Sequence, residues 1–102
     1  MVPRSTFVML LAVTLAHAAE DQVTAIKKGQ PKQVAELIDR IVECNHWGGE
    51  EAYDSARREQ IRRAVEKLRC DALDADEAKV LSGRGGNDKV RQAIAAARKL
   101  YL

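Results

Sequence analysis

The sequence predicts an all-α protein, a compact bundle of four or five short helices with one disulfide, and three observations lead there. No stretch alternates apolar and polar residues over several positions, as a half-buried strand requires. Ala and Arg are the commonest residues, Glu and Lys are frequent, and Val and Ile form no run longer than the pair Ile41-Val42, a composition that suits helices. Apolar residues recur instead at helical spacing, with glycines, prolines and capping residues between the runs.

Asp21 to Lys28 reads as a first short helix, with acids at its start, Lys27 and Lys28 at its end and Gly29 as its stop. Pro31 then opens a second helix from the first-turn position that proline favours. In it Val34, Leu37, Ile38, Ile41 and Val42 fall at i, i+3, i+4, i+7 and i+8, one continuous apolar stripe. The pattern breaks from Asn45 to Tyr53, where two adjacent glycines and two aromatics predict the main loop. Asp54 is placed to cap a third helix, in which Ile61, Ala64, Val65 and Leu68 form the expected buried stripe and Glu59 and Arg63 make an i,i+4 pair. That helix ends at or near Cys70. Asp74 and Glu77 resemble an acidic capping box for a fourth helix through Val80 and Leu81, closed by Gly83. Asn87 caps the last helix, whose Val90, Ile94, Ala97 and Tyr101 share a face. No internal repeat or low-complexity tract interrupts this plan.

Residues 1–18 have the make-up of a signal peptide: a basic start from Met1 to Arg4, an apolar core from Ser5 to Leu15, and a small-x-small cleavage site at Ala16-His17-Ala18. The apolar run spans about a dozen residues against the roughly 20 that cross a bilayer, and Glu20 and Asp21 follow it at once. It is expected to be cleaved, leaving residues 19–102 as a single helical domain with no membrane anchor, periplasmic or secreted. No cysteine at the cut provides a lipoprotein acylation site. The chain holds 17 Lys+Arg against 15 Asp+Glu, and loss of Arg4 leaves it near neutrality. That balance argues against nucleic acid or an acidic membrane surface as partner.

A mature chain of roughly 83 residues buries only about 60 to 65% of its unfolded surface, so its core alone is marginal. Cys44 and Cys70 are the only cysteines, an even count in an exported chain, and are expected to be bonded to each other. Such a bridge is worth about 3 kcal/mol in the chain-entropy model. It also constrains the fold. A helix from Asp54 to Cys70 is about 24 Å long, whereas bonded cysteines have Cα atoms about 5 to 6 Å apart. The second and third helices therefore cannot form a tight hairpin. The loop from Asn45 to Tyr53 must run back along the third helix, which an extended stretch reaching about 30 Å allows, and Trp47 and Tyr53 are expected to pack beneath it.

Candidate chemistry concentrates in that loop. Cys44, His46, Cys70 and Asp71 are zinc-type ligands, but structural zinc sites pair ligands at short spacing twice over, and an oxidising compartment favours the disulfide. His46 with Glu50 or Glu51 has the ingredients of acid/base catalysis, yet nothing supplies a nucleophile or an oxyanion site. Gly83-Arg84-Gly85-Gly86-Asn87 lacks the Lys-Ser/Thr ending of a phosphate loop and follows a helix rather than a strand. Asp74 and Asp76 begin like a calcium loop, but Lys79 and Gly85 stand where glycine and glutamate are needed. Arg57, Arg58, Arg62 and Arg63 interleave with Glu59 and Glu66, which reads as a salt-bridged solvated face rather than a basic patch. No catalytic residue, metal or cofactor is assigned. His46, Trp47, Glu50, Glu51 and Tyr53 remain as a binding surface on a pinned loop.

The run Glu43-Cys44-Asn45-His46-Trp47-Gly48-Gly49-Glu50-Glu51-Ala52-Tyr53-Asp54, followed by Leu68-Arg69-Cys70, resembles a segment of small uncharacterised secreted helical proteins of proteobacteria. The resemblance covers about a quarter of the chain. It implies a bacterial, exported, single-disulfide helical protein and carries no activity with it. The function expected is a non-enzymatic binding or inhibitory module for a periplasmic protein partner, for instance an immunity-type protein against a cell-wall-directed toxin. The alternatives are a small secreted hydrolase using His46 with Glu50 or Glu51, and a structural or stress-related envelope protein.

Overall fold

The computed structural model describes residues 20–83 and 87–100, which form five helices and no strand. The proposed signal peptide, the Arg84-Gly85-Gly86 part of the glycine-rich turn and Tyr101 lie outside the described residues. Helix α1 covers residues 20–27. It ends where Lys28 N donates to Thr24 O (3.0 Å) and Gly29 takes the left-handed conformation, φ +76°, that glycine adopts without a Cβ clash. Helix α2 follows as Lys32–Gly48, with Pro31 one position earlier than the sequence suggests: it is the cap residue, its carbonyl accepting from Ala35 N at 2.9 Å.

Two of the expectations for α2 and its loop need correction. The helix runs one turn past Cys44, so Asn45, His46, Trp47 and Gly48 are helical and the loop shrinks to residues 49–54. The physical reason is distant in sequence. Asn45 Nδ2 donates to Arg98 O (3.2 Å) and Leu100 O (3.4 Å), so this side chain caps the end of the last helix instead of competing for its own backbone. Residues 51–53 have no regular secondary structure and are exposed, and α3 (Ser55–Lys67) starts beyond them. Asp54 caps α3 as its position predicts, accepting from Arg57 N at 2.7 Å.

The stripe expected to be buried on α3 is only half-buried. Ile61, Ala64, Val65 and Leu68 are partly covered, and no side chain of α3 is fully buried. The core is closed by other elements. Its fully buried apolar members come from α2 (Val34, Leu37, Ile38, Ile41, Val42), from α4 (Leu73–Gly83) through Leu73 and Val80, and from α5 (Asp88–Arg98) through Val90, Ala93, Ile94 and Ala97. Val34, Ile38, Ile41 and Val90 are essentially inaccessible, each worth about 1.5 to 3 kcal/mol of transfer free energy. Val23 and Ile26 of α1 pack at the margin, beside a Lys27 to Asp39 ion pair of 3.0 Å.

After α3 the chain makes a turn in which Arg69 has φ 53°, ψ 50°, then a 3₁₀ turn Cys70–Ala72 that runs directly into α4. Asp74 and Glu77 consequently do not form a capping box. They face α5 and hold Arg98, whose Nη2 lies 2.8 Å from Asp74 Oδ1 and whose Nε donates to Glu77 Oε1 at 2.8 Å. Burial alone would lower the Arg98 pKa, but the hydrogen bonds to Glu77 and Asp74 outweigh it and raise the value. Asn87 caps α5 as expected, its Oδ1 accepting from Lys89 N (3.0 Å) and Val90 N (3.4 Å). Cys44 and Cys70 form the disulfide, with Cα atoms 5.7 Å apart. The bridge thus joins a point one turn before the end of α2 to the turn after α3. No helix among the described residues is long and apolar enough to cross a membrane.

Candidate functional site at the α2 to α3 corner

The last turn of α2 and the first turn of α3 meet around Glu50. Because α2 continues past Cys44, His46 precedes Glu50 by one helical turn, and His46 Nε2 lies 3.2 Å from Glu50 Oε1. The other carboxylate oxygen, Oε2, lies 3.0 Å from Arg57 Nη2. Arg57 in turn stacks its guanidinium over the Trp47 ring, 5.3 Å from the centroid. His46 completes the cluster, its ring edge-on to Trp47 at 5.4 Å between centroids and 73° between planes. Arg57 Nη1 donates to Gln60 Oε1 at 2.6 Å, whereas Arg57 Nε is buried without a hydrogen-bond partner among the described residues. That unmet donor costs stability, and the indole beside the guanidinium offsets part of the cost.

Both ends of the loop are therefore held: Glu50 by Arg57 and His46, and Asp54 by its cap on the Arg57 backbone. Between them Glu51, Ala52 and Tyr53 are exposed. The sequence-predicted site residues thus divide. His46, Trp47 and Glu50 come together, and Glu51 and Tyr53 do not join them. Tyr53 does not pack beneath the loop as expected; it is 80% exposed, because the shortened loop has no layer beneath which it could tuck. Trp47 is half-buried rather than plugging a core, and it borders a recess of about 280 Å³ lined by Glu43, Ala64, Lys67 and Leu68.

Two anchoring positions carry no signature in the sequence. Arg57 carries the loop, but its partners are a tryptophan ten residues back and a glutamate seven back, a spacing with no local signature. Arg40 fastens the other end of α3: its Nε donates to Leu68 O, Nη2 to Arg69 O and Nη1 to Asp76 Oδ2, each at 2.9 Å. The only hint in the sequence is an arginine between two residues of the α2 apolar stripe, Ile38 and Ile41. Its hydrogen bond holds the Asp76 carboxyl below the usual carboxylate range.

The rest of α3 is the salt-laced face that its charge pattern predicts. Arg62 pairs with Glu59 and Glu66, and Arg63 Nε lies 3.2 Å from Glu59. Hydrogen bonds from Arg62, then Arg63, pull the Glu59 carboxyl down to about 2. No group of three or more His, Cys, Asp or Glu side chains is arranged to hold a metal ion among the described residues. Both cysteines that a zinc site would need are spent in the disulfide. No family model, no curated protein and no solved structure matches the chain.

Proposed function

We propose that the chain is an exported, non-enzymatic binding or inhibitory module that works in the periplasm and engages a protein partner through the loop of residues 50–54. The observation that supports this reading is Tyr53, 80% exposed on a loop whose two ends are fastened. A tyrosine held out in this way offers large contact area at low entropic cost when a partner covers it, and tyrosine is enriched among residues that dominate interface energetics. Exposed Glu51 beside it supplies a polar rim. The export reading rests on the make-up of residues 1–18, and a structural disulfide suits an oxidising compartment. An immunity-type protein that neutralises a cell-wall-directed toxin is one concrete form.

Affinity capture from periplasmic extract tests the reading. The wild-type protein should retain a stoichiometric partner, and Tyr53→Ala should weaken that complex by about thirtyfold, as loss of a contact worth about 2 kcal/mol does. A partner held equally well by Tyr53→Ala would reject the loop as the contact. The hydrolase reading keeps one specific observation, the His46 to Glu50 contact. Glu50 is also engaged by Arg57, an arrangement that suits an anchor better than a general base. Turnover of a cell-wall substrate that disappears in His46→Ala would restore that reading.

A further inference from the structure

We propose that the Cys44–Cys70 disulfide is a release catch for α3: a thiol attacks Cys70, and its opening frees residues 50–69 while the α2, α4 and α5 core stays folded. Two independent observations carry this, and neither depends on the binding reading above. The first is the division of burial. Among the described residues, every fully buried apolar residue in the core lies on α2, α4 or α5, and α3 contributes none. A helix of 13 residues is marginal on its own in water, and the ion pairs among Glu59, Arg62, Arg63 and Glu66 are exposed, so they add little. What keeps α3 against the body is a half-buried stripe, the Trp47 to Arg57 contact at one end, and the disulfide with the Arg40 clamp at the other. The bridge closes a segment of sequence separation 26 that contains the whole of α3, so its constraint falls on that segment.

The second observation is that the two sulfurs are not equivalent. Both cysteines are half-buried, and Cys44 packs against the core cluster. Cys70 instead forms part of the wall of an open recess of about 420 Å³ with Arg62, Val65, Glu66 and Asp71. An incoming thiolate therefore reaches Cys70 more easily than Cys44. A dithiol reductant supplies both electrons for the opening. The reductant thiolate bonds to Cys70 Sγ, the disulfide breaks, and its electron pair leaves on Cys44, which takes up a proton. The second thiol of the reductant then displaces Cys70 from the mixed disulfide, so the reductant is oxidised to a disulfide and the protein gains two thiols.

Two measurements on the full chain test the proposal. In hydrogen exchange with and without dithiothreitol, amides of residues 50–69 should exchange at least tenfold faster after reduction. Those of Val34, Ile38, Ile41, Val90 and Ile94 should change less than threefold. Equal acceleration in the core, or an unchanged α3, would overturn the catch. A chain with both Cys44→Ser and Cys70→Ser should behave like the reduced protein, and its failure to fold would count against the proposal in the same way. For the direction of attack, brief exposure to reduced glutathione followed by acid quenching and alkylation should give mixed disulfide on Cys70 in at least fivefold excess over Cys44. Equal adducts, or an excess on Cys44, would overturn the assignment.

Discussion

Arg40 stands between Asp39 and Ile41 on α2, and its guanidinium makes three hydrogen bonds to groups at the end of α3 and on α4. Hydrogen bonds to charged groups contribute about 1.5 to 3 kcal/mol each when removal leaves a partner unmet, and these share one side chain. Arg40→Ala should therefore lose about 2 to 4 kcal/mol in urea melts, and Arg40→Lys should recover little, because an ammonium lacks the planar fork that spans Leu68 O, Arg69 O and Asp76. The same contact sets a pH dependence. Asp76 is held below its unfolded value by Arg40, so its contribution is full above about pH 4, the unfolded range, and is lost as pH falls through the folded value. Urea midpoints measured from pH 7 down to pH 2.5 should fall more steeply for the wild type than for Asp76→Asn below pH 4, and parallel curves would contradict the pairing. Arg69 offers a converse case. It holds φ 53° with a Cβ, a conformation that costs about 1 kcal/mol, so Arg69→Gly should leave stability unchanged or raise it slightly in the same melts.

Among the elements, α2 and α3 separate what periodicity can tell from what it cannot. The α2 stripe, the Asp54 and Asn87 caps and the Gly29 stop were legible because each rests on side chains and backbone within one or two turns. The extra turn of α2 was not, because its support is Asn45 reaching Arg98 and Leu100, over 50 residues away in sequence. Periodicity also marked the correct face of α3, Ile61 to Leu68, but a stripe states only which side is apolar, not how much lies opposite to cover it. The candidate site was half legible for the same reason: its residue types named the loop, while Arg57, which fixes it, belongs to the next helix. Mutational cost should follow coverage. Ile38→Ala should lose about 3 to 4 kcal/mol and Ile61→Ala about 1, measured by urea melts, and equal losses would contradict the peripheral place of α3. Trp47→Ala, which removes a half-buried ring, should fall between them at about 2 kcal/mol.

At the scale of the molecule, a small core of three helices carries an appended corner whose parts are fastened by a disulfide, an arginine clamp and a cation resting on a tryptophan. That division suits a recognition module: the core supplies rigidity, and the corner holds Tyr53 in the open without having to bury it. Loops on rigid scaffolds carry function, and this loop is short, exposed at residues 51–54 and fixed at Glu50 and Asp54. The measurement that bears most directly on the binding reading is photocrosslinking of the exported protein with a benzophenone amino acid placed at position 53, against the same probe at exposed position 91 on α5. A discrete adduct with one protein partner from position 53, absent from position 91, is the expected result. The same adducts from both positions, or none from position 53, would contradict it.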